Sequence, residues 1–149
     1  MLLHSPRLGA GWNAWIAAVR TPALVSPFLK ELATCAVAFL NDAEFEIVRH
    51  GPALLREGGS KAQLDALRDV QAAVGNAQLF DASHRAVLSL CYEMTRDVRV
   101  RADTFRKVAD ALDHNDQSIL ELVVIIGTYN GWNRVLVALE VEAHGGDPL

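Results

Sequence analysis

The chain is predicted to be all-α, a single-domain bundle of six or seven helices that ends in a long apolar helix. Three observations predict it. Apolar residues recur at i, i+3 and i+4 through most of the 149 residues. No stretch alternates with period two, so no Asn-Gly turn joins two strand-like runs as a hairpin. Helix punctuation falls at the breaks between the periodic stretches.

Trp12, Trp15, Ile16 and Val19 form one stripe on a first helix that stops near Thr21-Pro22. Ser26-Pro27 reads as an N-cap and first helical residue, because proline has no N–H to lose there. Leu29, Leu32, Ala33, Ala36, Val37 and Leu40 give the second helix its apolar face. No charge occurs from Leu32 to Asn41, so the other face of this helix is expected to be covered too. A third helix is expected to start after Asn41 or Asp42 and to end at Gly58-Gly59. Pro52 lies inside it and is expected to kink it just after His50 by removing the bond to the Val48 carbonyl.

Ser60 with Gln63 is a capping-box pattern opening a short helix to about Val70. Gly75 to Gln78 reads as a loop, and Asp81 as the cap of a helix through Ala86, Val87, Leu90, Cys91 and Met94. Another helix begins near Asp103 with Phe105, Val108, Ala109 and Leu112 on its stripe. After Asn115-Asp116 the last helix runs to about Val141. It is apolar on most sides between Ile119 and Ile126, as suits an element in the middle of a packing arrangement. Residues 1–5 and 143–149, including Gly145-Gly146-Asp147-Pro148, are expected to fray.

Composition excludes several classes of function. A formal net charge of −4 with no Lys/Arg cluster argues against nucleic acid or an anionic membrane as partner. The most apolar stretch, Leu122 to Gly127, falls far short of the ~20 residues that span a bilayer. The N-terminus lacks the charged region and sustained apolar core of a signal peptide. Two cysteines on separate segments make no disulfide framework, so a cytoplasmic location is expected. A 51% hydrophobic fraction is high for a small monomer and points to self-association.

The chemistry concentrates in the second and third helices. Glu46 and His50 are neighbours at i and i+4, and Glu31 lies on the helix before. An acid and an imidazole side by side, with a further carboxylate able to fold against them, suit proton transfer. By spacing alone a surface pair contributing a few tenths of a kcal/mol is the commoner outcome, since such pairs abound on helices. Glu31 sits too far inside its helix for the macrodipole to account for it. Asn130 and Arg134 form another i, i+4 pair, suited to gripping a substrate carboxylate or to neutralising a buried acid. Cys35 and Cys91 sit among apolar neighbours that suppress the thiolate. His4, His84, His114 and His144 are scattered, so no metal site is expected.

The run from Glu31 to Leu40, followed by Ala43-Glu44-Phe45-Glu46 and His50, resembles the carboxymuconolactone decarboxylase and alkylhydroperoxidase D superfamily. Its peroxidase members carry Glu, eleven residues, then Cys-x-x-Cys-x-x-x-His. The matching positions here are Glu31, Ala43, Glu46 and His50, without either cysteine. The decarboxylase-like branch favours Glu-Tyr-Glu-Trp before the His, similar to Glu44-Phe45-Glu46-Ile47. Ser5-Pro6-Arg7, Glu93 to Asp97 and Ile126 to Asn130 are also similar to that branch.

The resemblance implies cofactor-free acid–base chemistry on a small organic acid or lactone, with His50, Glu46 and Glu31 catalytic and Arg134 and Asn130 binding substrate. It also implies a homo-oligomer, a trimer or hexamer. Two other readings stay open at this point. One is the thiol peroxidase activity of the superfamily, disfavoured because Ala43 and Glu46 replace the cysteine pair. The other is a non-catalytic helical oligomer that binds a ligand or partner.

Overall fold

A computed structural model of the chain describes residues 4–143. Its helices are α1 (Pro6–Arg20), α2 (Pro27–Leu40), α3 (Glu44–Arg56), α4 (Lys61–Ala66), α5 (Val70–Gly75), α6 (Ala82–Tyr92), α7 (Ala102–Ala111) and α8 (Asp116–Ala138). A 3-10 turn at Leu67–Asp69 joins α4 to α5, so these two form one interrupted segment and the described residues hold seven helical segments. The architecture is all-α. The expected fraying of the C-terminal tail falls on 144–149 and that of 1–3 likewise, outside the described residues; Ser5 directly precedes α1.

α2 is the central element. Nine of its fourteen residues are buried, and it packs against α3, α6 and α8 at once. Its capping follows the sequence: the Ser26 hydroxyl accepts from the Leu29 N–H, and Pro27 occupies the first turn. Leu32, Val37, Leu88, Leu90, Leu122 and Ile126 are fully enclosed around it. Ala33, Ala36 and Ala38 add little bulk, which lets three neighbours approach the same helix.

α2 ends in a Schellman motif closed by an aspartate. Asp42 takes φ 52°, and the Ala43 N–H reaches back to the Ala38 carbonyl at 3.0 Å. This tight reversal folds α3 onto α2 and shifts the start of α3 to Glu44, two residues beyond the earliest expected position. The same motif closes α3 at Gly58, α7 at Asp113 and α8 at Glu140; the last stops α8 at Ala138, short of Val141. α3 continues through Pro52 to Arg56 as one helix. Gly51, one residue earlier, is buried against Leu64 of α4, where an added Cβ would stand 3.3 Å from a Leu64 methyl.

α6 departs from the expected helix through Met94. It ends at Tyr92 and continues as a π-turn over Glu93–Asp97, leaving through Val98 at φ 64°. A β-branched residue in that region is strained. The buried Glu93 carboxylate holds this exit by accepting from the Arg101 backbone N–H at 2.8 Å and the Thr104 hydroxyl at 2.7 Å.

α8 is not enclosed on all sides in the single chain. Its inner face packs on α2, whereas Leu120 (63% exposed), Val135 and Val137 face outward. Apolar periodicity reports that a face is covered but cannot say whether the cover comes from the same chain.

The α1–α2 connection is pinned to α8 by Glu121. Its carboxylate accepts backbone N–H bonds from Ala23 (3.1 Å), Leu24 (2.9 Å) and Val25 (3.1 Å). These bonds, with one from Gln117, outweigh the opposing effect of burial and hold the Glu121 pKa down at about 2. A lowered folded-state pKa contributes stability that is present above the unfolded value of 4.5 and is lost as pH falls toward 2. Glu121→Gln is therefore expected to lower the thermal midpoint at pH 6 to 7, with the gap to the parent closing as pH drops from 4.5 to 2; a pH-independent gap would contradict this role.

Candidate functional site

The reversal between α2 and α3 sets their inner faces against each other, and each contributes acid to the same point. Glu31 of α2 is 5% exposed and Glu46 of α3 is 1% exposed. His50, one turn after Glu46, lies between them. Its Nδ1 is 2.7 Å from a Glu31 oxygen, and its Nε2 is 3.0 Å from a Glu46 oxygen. The Glu46 oxygen is close but out of line with a ring N–H, so this contact is one of charge, whereas Glu31 makes an aligned bond. Lys30 reaches the other Glu31 oxygen at 3.1 Å.

Burial alone would push the His50 pKa down. The Glu31 hydrogen bond and the charges of Glu31 and Glu46 outweigh it and raise His50 above its ordinary 6.5. Burial would likewise raise Glu31, but His50 and Lys30 hold it below the ordinary carboxylate value. Both ring nitrogens face acceptors, which is the environment of an imidazolium rather than a neutral imidazole. The arrangement is thus a histidine whose protonated form is favoured by the two buried acids on either side of it.

Tyr129 of α8 completes the enclosure. Its hydroxyl is 3.3 Å from His50 Nε2, and its ring stands edge-on to the imidazole with centroids 5.1 Å apart. His50, Tyr129 and Glu31 line a cavity of about 270 Å³ whose remaining wall includes Arg20, Lys30, Arg49 and Arg56. Glu57 lines it as well, so four cations outnumber the two carboxylates of Glu31 and Glu57 around this small space, a balance that favours an anionic ligand.

Asn130 and Arg134 lie elsewhere. The Asn130 amide donates to the Thr95 hydroxyl and accepts from Asn41 at 3.0 Å. The Arg134 guanidinium donates to the Asn130 carbonyl at 2.8 Å and to its side-chain oxygen at 2.9 Å. Together they tie α8 to the end of α2 and to the π-turn, and neither lines the cavity beside His50. Cys35 and Cys91 are buried free thiols, and burial raises both pKa values; the charges of Glu31 and Glu46 raise Cys35 further. Among the described residues no group of three His, Cys, Asp or Glu side chains is placed to hold a metal ion. None of the described helices is long and apolar enough to cross a membrane.

The cationic wall was missed by the sequence reading, though part of it was accessible. Arg49, Ala53 and Arg56 recur at i, i+4 and i+7 of α3, beside His50, so the spacing alone places them on the same side. Arg20 and Tyr129 come from α1 and α8; Tyr129 lies in the Ile126 to Asn130 run similar to the family, but no spacing ties either residue to His50.

A sequence model of the carboxymuconolactone decarboxylase family matches residues 6–87, more than half of the chain. The chain belongs to the carboxymuconolactone decarboxylase family. The matched region holds Glu31, Glu46 and His50, while Tyr129 and the Asn130–Arg134 pair lie beyond it. A crystal structure of a protein of unknown function from Agrobacterium tumefaciens, a candidate antioxidant-defence protein AhpD, has the same fold. The TM-score is 0.83 at 19% identity, over 97% of this chain and 96% of that one. No curated protein matches the chain. The likeness to the Agrobacterium protein, at that identity, concerns the fold alone.

Proposed function

We propose that this carboxymuconolactone decarboxylase family member is a cofactor-free acid–base enzyme of the carboxy-lyase type, acting on a small organic acid or lactone. The observation that supports it is His50 clasped between Glu31 and Glu46 at the wall of a cavity lined by four cations. Arg20, Lys30, Arg49 and Arg56 would hold a ligand carboxylate, and the small volume selects a small molecule. Loss of carbon dioxide leaves an electron pair delocalised over an adjacent unsaturated system. That pair takes up a proton at carbon. The proton comes from the His50 imidazolium, Glu46 compensates its charge, and Glu31 fixes the ring and completes the relay.

Thiol peroxidase chemistry finds no support in the residues present. Ala43 and Glu46 stand at the positions of the cysteine pair, and Cys35 and Cys91 are buried thiols with raised pKa values. Two reduced cysteines suit a cytoplasmic setting.

The chain is further proposed to assemble with itself, as the trimers or hexamers that the family resemblance implies. Trp15 (49% exposed), Leu8 and Val135 flank a groove between α1 and α8 that is floored by the stacked Trp12 and Trp132. An apolar face of this kind is suited to burial against another copy. Light scattering is expected to give a particle of three or six times 16.2 kDa; a monomer at micromolar concentration would contradict it.

The catalytic proposal is tested on a panel of carboxylated lactones and unsaturated diacids. Turnover is expected for the parent and its loss, by about a hundredfold or more, in His50→Gln with the helical fold retained by circular dichroism. Arg49→Gln with Arg56→Gln is expected to raise KM about tenfold or more while preserving much of kcat. An active His50→Gln variant would remove His50 from the mechanism, and a parent inert on the whole panel would favour the binding reading.

A further inference from the structure

In the clasp around His50, neither ring nitrogen is left free to meet a ligand, since Nδ1 faces Glu31 at 2.7 Å and Nε2 faces Glu46 at 3.0 Å. A proton held on that ring needs an intermediary on its way into the cavity. Glu46 does not line the cavity, so it cannot serve. Glu31 does line it, but Lys30 and His50 together hold Glu31 as a carboxylate, an acceptor with no proton to give. Tyr129 meets every requirement. It is 2% exposed, its hydroxyl lies 3.3 Å from Nε2, and its side chain forms part of the cavity wall.

The geometry points to the Tyr129 hydroxyl as the group that hands the proton to the ligand, with His50 refilling it from behind. This inference rests on the acid–base reading of the same site. In the step, the electron pair left on the ligand carbon forms the new C–H bond as the Tyr129 O–H bond breaks. The proton on His50 Nε2 passes to the phenol oxygen in the same event. The phenol ends neutral, and the imidazole ends neutral with its Nδ1–H still donated to Glu31. Water resets the site by returning one proton to the ring, and the hydroxide left behind combines with the released carbon dioxide as bicarbonate. No oxidant, reductant or further reactant enters the balance.

Two features of the surroundings favour a coupled transfer over a free phenolate. Burial, reinforced by the charges of Glu46 and Glu31 and only partly offset by Arg20, pushes the Tyr129 pKa up to about 12. A phenol that resists ionisation gives up its proton only when another arrives. The edge-on stacking of its ring against the imidazole also fixes the hydroxyl to one side of His50.

The test uses Tyr129→Phe and a second variant carrying 3,5-difluorotyrosine at position 129, which keeps the ring and hydroxyl but makes the phenol more acidic. Both are assayed on whichever lactone or diacid of the panel the parent turns over. Tyr129→Phe is expected to lose about a hundredfold or more in kcat with KM within about threefold, the size of a general-acid contribution. The difluorotyrosine variant is expected to move the alkaline limb of the kcat profile to lower pH, which a merely structural tyrosine would not do. Should Tyr129→Phe fail to fold, the fluorinated variant decides alone. Loss of activity in His50→Gln but not in Tyr129→Phe, or an unmoved alkaline limb, would overturn this inference and leave the acid–base reading standing. A parent that turns over nothing in the panel would overturn both.

Discussion

Two acids buried in a bundle of this size need a partner between them, and the contact of His50 with Glu31 and Glu46 is the constraint on which the site depends. An isolated buried carboxylate is strongly disfavoured, and removing one partner from a buried charged pair costs about 3–5 kcal/mol. The helices that carry these groups are therefore held to one register. α2 must present Glu31 on the face where α3 presents Glu46 and His50, and the three-residue reversal at Asn41, Asp42 and Ala43 brings this about. Lys30 at the edge of the cavity takes the second oxygen of Glu31, so the acid is satisfied on both sides.

The rest of the core makes this constraint possible. α2 is uncharged from Leu32 to Asn41, and α6 and α8 cover it with Leu88, Leu90, Leu122 and Ile126. The apolar packing leaves the histidine and its acids little contact with water on the inner side, which strengthens every charge interaction among them. The opposite side opens to a cavity whose cations come from α1, α2 and α3. Glu46 lies on the inner side and the cations lie at the wall, with the His50 ring and Glu31 between them.

Much of the fold was legible because it rests on local patterns. Ser26-Pro27, Ser60 with Gln63 and Asp81 cap the helices that the sequence assigns to them, and Asn115, which precedes the last helix, caps it as well. Helix ends were less legible where aspartate or glutamate took the left-handed position usually given to glycine, as at Asp42, Asp113 and Glu140. The π-turn after Tyr92 has no local signature, since it is set by contacts of Glu93 with Arg101 and Thr104 eight and eleven residues on. In the site, the i, i+4 pair of Glu46 and His50 and the resemblance together singled out the clasp. Tyr129 and Arg20 were illegible because only the tertiary fold brings α8 and the end of α1 to His50. Arg134 shows the converse: its spacing with Asn130 suits ligand binding, yet its guanidinium is spent on the Asn130 carbonyl and side chain.

The central claim is a statement about protons, that the ring between Glu31 and Glu46 is an imidazolium at rest. Nitrogen-15 NMR of the histidine side chains reads it directly. Both His50 nitrogens are expected to carry a proton at neutral pH and to titrate above 6.5, with the titration moved back toward 6.5 by Glu31→Gln. A His50 that is a single neutral tautomer at pH 6, or one whose titration ignores the loss of Glu31, would contradict the account.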